Sequence, residues 1–144
     1  MRYVTQQDTE SFLARFDAFN DCLFDRVEIV YEKAKPVRSI SVWIEARDYA
    51  EKEKEVWVLI HLLIRGVGDY CISDRTKETN VVLSNGIHIL WSGSLVSVDF
   101  GHFADQPDSM DELQESGVFV IGASLEWQVE PLINGDRIIG EKKT

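Results

Sequence analysis

The chain has 144 residues, 44% of them hydrophobic and 10% aromatic, and this size and composition predict one folded domain over residues 1–144 and exclude a disordered chain. No apolar run reaches the ~20 residues of a membrane-spanning helix, and acids in residues 1–20 differ from a secretory leader, so we expect a cytoplasmic protein with no membrane contact. The formal net charge of -10 argues against a nucleic acid ligand, because an acidic surface repels phosphates.

The negative charge is concentrated in one interval of the chain. Residues 1–77 hold 14 acids and 12 bases, whereas residues 78–136 hold ten acids and no lysine or arginine. The remaining residues, from Arg137 onward, are net positive. A base-free interval of this kind would steer a basic protein partner, although acidic surfaces also keep proteins soluble in general.

The first half of the chain predicts one helix followed by strands. Apolar residues recur at helical spacing at Phe12, Leu13, Phe16 and Phe19. They predict a helix over residues 5–19 that lies on a sheet. Alternating patterns predict the next strands over residues 22–31, 39–47 and 56–64. The last of these is apolar on both faces, which is typical of a central strand, and Gly66 and Gly68 are expected to end it. The charged residues 48–55 predict an exposed loop or a single helical turn.

Turn residues divide the second half into short elements. A short strand is expected over residues 70–73. Asn85-Gly86 and Ser92-Gly93-Ser94 are hairpin signals, and they predict a three-stranded meander over residues 81–84, 87–91 and 95–100. A short helix over residues 109–116, two more strands and a loose C-terminal tail over residues 131–144 complete the chain. The final two strands are expected over residues 118–121 and 124–129.

These elements predict an α+β fold. One N-terminal helix packs on a mostly antiparallel sheet of about seven or eight strands, which curls or closes into a partial barrel.

No stretch of the sequence has a recognisable catalytic, metal or cofactor signature. The acids that follow His102 lack the alternating oxygen ligands and the glycine of a calcium loop, and Ser109 with Glu112 is instead typical of a helix-capping box. The other two histidines, His61 and His88, fall within predicted strands, where packing is the commoner role. We therefore predict no catalytic residue, no metal ion and no cofactor.

The cysteines and tryptophans are interpreted as structural residues. Cys22 and Cys71 belong to no CxxC pair, which predicts free thiols in a reducing compartment. Four tryptophans fall on predicted strands, at positions 43, 57, 91 and 127. Three or more of them are expected to pack in the core or on a sheet face, whereas an exposed tryptophan beside the acidic interval would indicate a binding anchor.

Part of the chain resembles a known group of proteins. The matching stretches are residues 19–29, which open with Phe19-Asn20-Asp21, and residues 58–67 and 87–100. A start of the form F-x-D, an alternating strand and a hairpin meander in this order resemble small bacterial proteins of immunity-type or unknown function. The group more often has a histidine where this chain has Asn20, so the resemblance implies a class of fold and no site residue.

Three functional hypotheses follow from these observations. The first is a non-enzymatic binding protein, an immunity-type inhibitor that occupies the basic active-site cleft of a toxin. Its candidate partner-binding residues are Asp99, Asp105, Asp108, Asp111, Glu112 and Glu115. The second is a small-ligand-binding or enzymatic barrel with a pocket lined by His61, His88 and Tyr70. The third is a structural subunit that forms a homodimer through a sheet edge.

Overall fold

The structure, a computed structural model, describes residues 1–50, 56–73 and 82–132. Strands make up 55% and helices 12% of the structure, and every strand pair in the described ranges is antiparallel. The N-terminal helix and the α+β class agree with the sequence prediction. None of the helices in these ranges is long and apolar enough to span a membrane.

Ten strands are divided between two open sheets. The first sheet consists of β1 (Arg2–Val4), β2 (Cys22–Tyr31), β3 (Arg38–Asp48), β4 (Val56–Val67), β6 (Val82–Leu83) and β10 (Ser124–Glu130). Its strand order is β1-β10-β4-β3-β2-β6. The second sheet consists of β5 (Asp69–Ile72), β7 (Ile87–Ser92), β8 (Leu95–Phe100) and β9 (Val118–Gly122). Its order is β5-β9-β8-β7. The predicted count of seven or eight strands and the partial barrel are therefore not confirmed.

Asn85-Gly86 does not form the predicted hairpin, so the three-stranded meander is wrong. β6 pairs with β2 in the first sheet, while β7 pairs with β8 in the second. The hairpin at Gly93 is present between β7 and β8. Gly86 instead lies against the residues that follow the first helix, and the Asn85 side chain donates a hydrogen bond to the Gly101 carbonyl at 3.3 Å. The Asn85-Gly86 dipeptide therefore connects β6 of the first sheet to β7 of the second.

The two sheets are joined at a bend where two paired strands turn together. β4 continues into β5 through Gly68, and β9 continues into β10 through Ala123. Backbone hydrogen bonds cross the bend: the Gly68 N–H donates to the Ile121 carbonyl at 3.1 Å and the Ala123 N–H donates to the Arg65 carbonyl at 2.8 Å. Gly66 lies within β4 and does not end it as predicted, whereas Gly68 follows the last residue of β4, Val67, as predicted.

The N-terminal helix closes one end of the core. α1 (Thr9–Arg15) is followed by a short 3₁₀ helix, Asp17–Phe19, whose three residues all have positive φ. This conformation cannot continue an α-helix, which explains why the predicted helix is divided. Phe12 and Phe16 pack on Trp127 of β10 at ring-centroid distances of 5.2 and 5.6 Å. The remaining core consists of side chains from the facing sides of both sheets, including Ile40, Ile60, Leu62, Val96, Val98 and Val120.

The second helix, α2 (Met110–Leu113), is a single turn within the predicted range of residues 109–116. Two other predictions lie largely outside the described residues. They are the loose tail, of which the structure describes residues 131 and 132, and the exposed loop, of which it describes residues 48–50.

Candidate functional site

Residues 102–116, called here the acidic segment, cover the outer face of the second sheet. Asp99 of β8 lies beneath this segment and is 0% exposed. Its Oδ1 accepts hydrogen bonds from Ser116 Oγ at 2.5 Å and from the His102 N–H at 3.3 Å, and its Oδ2 accepts one from the Phe103 N–H at 3.4 Å. One buried carboxylate therefore fastens both ends of the acidic segment to the sheet.

Further contacts fix the middle of the acidic segment. The Gln106 side chain donates to the Ile89 carbonyl at 3.1 Å, and Pro107 is buried. Leu113 is fully buried against Phe119 and Ile121. The acidic segment is thus fixed at its ends and at points in its middle, although it contains only one helical turn.

His88 is the neighbour of Asp99 across the β7–β8 ladder. Its Nδ1 lies 3.2 Å from Asp99 Oδ2, and its side chain is largely buried. The sequence interpretation of His88 as a packed strand residue is consistent with this position.

The Ser109 half of the predicted capping box is confirmed, whereas the Glu112 carboxylate bonds the N–H of Asp108 and not that of Ser109. Ser109 is the N-cap of α2, and its hydroxyl accepts a hydrogen bond from the Glu112 N–H at 3.2 Å. The Glu112 carboxylate accepts one from the Asp108 N–H at 2.6 Å. Glu112 is half-buried and serves the start of the helix.

The other four predicted partner-binding residues are exposed on the acidic segment and are called here the acidic face: Asp105, Asp108, Asp111 and Glu115. Within the described ranges, none of these four carboxylates forms a salt bridge. The six predicted residues therefore separate into a buried anchor, a helix cap and four exposed carboxylates. No three histidine, cysteine or acidic side chains of the described residues converge on a common point that could hold a metal ion.

A second polar cluster lies on the outer face of the first sheet, around His61. Its Nδ1 lies 3.1 Å from Glu130 Oε2, and its Nε2 lies 2.8 Å from Ser41 Oγ. The imidazole ring stacks on Trp43 with a centroid distance of 4.3 Å and an interplanar angle of 16°. Arg26 covers the other side of the cluster, with its guanidinium carbon 3.9 Å from the Trp43 ring centroid.

The Glu130 carboxylate determines the direction of the hydrogen bonds in this cluster. Burial raises the pKa of Glu130, but hydrogen bonds from Gln128 at 2.8 Å, from Trp43 at 3.2 Å and from His61 outweigh burial and lower it below its usual value. An ionised Glu130 favours the tautomer of His61 that carries its proton on Nδ1. In that tautomer, Nε2 accepts a hydrogen bond from the Ser41 hydroxyl.

The hydrogen bonds run in the same order as in a serine–histidine–carboxylate triad. The burial of Ser41 nevertheless favours a structural role. Ser41 is only 8% exposed. Four cavities of about 290–390 Å³ among the described residues are not lined by Ser41, His61 or Glu130. The cluster therefore holds Trp43 and His61 in a fixed position on the sheet.

The structure does not bring together the predicted pocket residues His61, His88 and Tyr70. His61 lies on the outer face of the first sheet, and His88 lies under the acidic segment on the second. The Tyr70 hydroxyl is 3.4 Å from that of Tyr31. A single pocket that contains all three is therefore wrong, whereas the homodimer hypothesis stays a prediction.

The cysteines and tryptophans behave as structural residues. Both cysteines are free, and burial raises the pKa of the Cys22 thiol. Trp43 and Trp127 are buried and Trp91, half-buried, donates to the Thr9 hydroxyl at 2.8 Å. Trp57 is 42% exposed, but it lies on β4 of the first sheet and not beside the acidic segment.

Sequence reasoning missed the anchors Ser116 and Gln106 and the Ser41–His61–Glu130 cluster. One signal was available for the first site: Asp99 is a carboxylate between the apolar residues Val98 and Phe100. The second site had no such signal, because Glu130 lies 69 residues from His61 in the chain.

Glu130→Gln is expected to reduce the loss of stability in acid. Because the folded-state pKa of Glu130 is lowered, its contribution is present above the unfolded-state pKa of about 4.3 and is lost as the pH falls through the folded-state value. The contribution is at most about 1 kcal/mol, because the side chain is 29% exposed and solvent screens it. Urea unfolding at several pH values between about 7 and 3 measures the difference. Glu28→Gln, an exposed carboxylate of the same sheet face, is the control, and the same pH dependence in both variants would contradict this role.

No protein-family model, curated protein or solved structure matches this chain. The resemblance to immunity-type proteins therefore stays a prediction.

Proposed function

We propose that this protein is a non-enzymatic binding protein whose acidic face docks a basic protein partner, as an immunity-type inhibitor of a basic toxin would. The observation that carries the proposal is that four exposed carboxylates without salt bridges in the described ranges lie on a segment anchored by the buried Asp99.

The anchoring matters because ordering a flexible loop on binding costs free energy. A segment that is already fixed by Asp99, Gln106 and Leu113 avoids most of that cost. The acidic face could therefore bind a complementary surface with little rearrangement of its own backbone.

The charge distribution supports the same proposal. No lysine or arginine occurs in residues 78–136, so the field of the acidic face is not cancelled by bases of the acidic segment. Such a field raises the rate at which a basic partner arrives, and it is screened beyond about 10 Å in 0.1 M salt.

Changing Asp105, Asp108 and Asp111 together to asparagine is expected to slow association by about tenfold at low ionic strength, with a smaller effect on dissociation. The partner is first sought among basic proteins encoded beside this chain's gene. Stopped-flow fluorescence at several salt concentrations then gives the association rate constants of the wild type and the variant. The difference between them should shrink as salt is added.

The matched control changes Glu10, Asp25 and Glu28 to their amides. It alters the net charge by the same amount at three exposed carboxylates outside the acidic segment. An unchanged association rate of the Asp105, Asp108 and Asp111 variant at low salt, or equal slowing by both variants, would refute docking at the acidic face.

A further inference from the structure

A cavity beside Trp127 brings together two arginines of this acidic chain. It consists of two neighbouring hollows of about 290 and 390 Å³, called here its lobes, which residues of β1, α1 and β10 line. Both lobes are lined by Arg2, Arg15 and Trp127. The shared residues Arg2, Arg15 and Trp127 belong neither to the acidic face nor to the His61 cluster.

Arg15 is held in a fixed position at the wall of this cavity. Its Nε and Nη2 donate to the two carboxylate oxygens of Asp48 at 2.9 and 2.8 Å. Its guanidinium carbon lies 5.2 Å from the Phe16 ring centroid and 5.3 Å from that of Trp127. Neither hydrogen bond to Asp48 uses Nη1, which leaves two N–H donors of a preoriented guanidinium for a ligand.

Arg2 supplies the uncompensated positive charge. It is exposed, its guanidinium carbon lies 5.6 Å from the Trp127 ring centroid, and it forms no salt bridge with the described residues. Two arginines near one indole ring give the cavity both an anionic preference and an apolar floor.

The two lobes differ in charge. The smaller lobe is lined, besides the shared residues, by Met1, Gln128 and Val129, none of which is acidic. The larger lobe is also lined by Asp8, whose carboxylate would repel a second negative charge on a ligand. One negative charge in the smaller lobe and an uncharged, apolar remainder therefore suit this cavity best.

We propose that this cavity binds a small organic monocarboxylate, independently of the function proposed for the acidic face. The carboxylate lies in the smaller lobe between Arg2 and Nη1 of Arg15. The apolar body of the ligand packs on Trp127. Paired guanidinium donors match carboxylate oxygens, and the volume is at the lower end for small-molecule sites.

The test is a titration of ¹⁵N-labelled protein with phenylacetate, phenylacetamide and inorganic phosphate, followed by NMR at the Trp127 indole N–H. Phenylacetate should give a saturable shift with a dissociation constant on the order of 1 mM. Phenylacetamide has the same shape without the charge, and phosphate has the charge without the apolar body. Each should bind at least about tenfold more weakly.

Arg2→Gln should weaken phenylacetate binding by about tenfold or more. The matched control is Arg26→Gln, because Arg26 is also exposed and also lies over an indole, that of Trp43, but does not line the cavity. Absence of a saturable shift, equal affinity for phenylacetamide or phosphate, or unchanged binding by the Arg2→Gln variant would each overturn the proposal.

Discussion

Asp99→Asn is expected to lower the free energy of unfolding by about 2–4 kcal/mol and to loosen the acidic segment. The Asp99 carboxylate accepts hydrogen bonds from two backbone N–H groups and the Ser116 hydroxyl in a fully buried site. An amide keeps one acceptor oxygen and turns an NH₂ group towards donors, so at least one buried polar group loses its partner. Urea unfolding measures the loss of stability, and hydrogen exchange of the amides in residues 102–116 measures the loosening.

The control for this substitution is Asp105→Asn, which makes the same chemical change at an exposed position of the acidic segment. It should alter stability by no more than about 0.5 kcal/mol. Unchanged exchange protection of residues 102–116 in the Asp99→Asn variant would show that Asp99 does not anchor the segment.

Gly86→Ala is expected to destabilise the protein by about 3 kcal/mol or more. Gly86 has a φ of +68°, which disfavours a side chain. An added Cβ would also clash with the Ala18 carbonyl oxygen and lie 2.9 Å from Asn20 Oδ1. Ala18 itself has a positive φ in the 3₁₀ helix, so its backbone has little freedom to move away.

Gly93→Ala separates the two causes of this effect. Gly93 also has a positive φ, of +58°, but nothing lies within 4 Å of the position of an added Cβ. Its substitution should therefore cost only about 1 kcal/mol, from the backbone conformation. Thermal or urea unfolding compares the two variants, and equal losses would show that the Ala18 contact does not restrict residue 86.

Local sequence patterns predicted most of the strands, because alternation is visible wherever a strand has one buried face. The prediction over residues 22–31 coincides with β2, and the predictions over residues 87–91 and 95–100 differ little from β7 and β8. β1 was missed because three residues are too few to show a period.

The arrangement of strands could not be predicted in the same way. Asn85-Gly86 has the composition of a hairpin turn. Only the close approach of Ala18, 68 residues earlier, shows that a glycine is needed at position 86 to leave room for the Ala18 backbone. The bend at Gly68 and Ala123 likewise depends on two segments distant in sequence. Sequence patterns report which side of a strand is buried but not which strand lies beside it.

The candidate site was predictable to a similar extent. Ser109 and Glu112 are three residues apart, so a capping arrangement was visible in the sequence, and its hydrogen bond from the Glu112 N–H to the Ser109 hydroxyl is confirmed. The burial of Asp99 depends on Ser116, which folds back on it from a different element. The sequence therefore located the acidic interval, but it did not show which carboxylate is the buried anchor and which are exposed.

The bend that joins the sheets has a mechanical consequence for the proposed docking. A force applied to the acidic segment passes through Asp99 into β8 and from there into β9. β9 runs into β10 with one intervening residue, and the paired β4–β5 strand follows the same path. The force would therefore be transmitted into the first sheet through continuous backbone and its hydrogen bonds. The proposed partner would bind a surface that both sheets support.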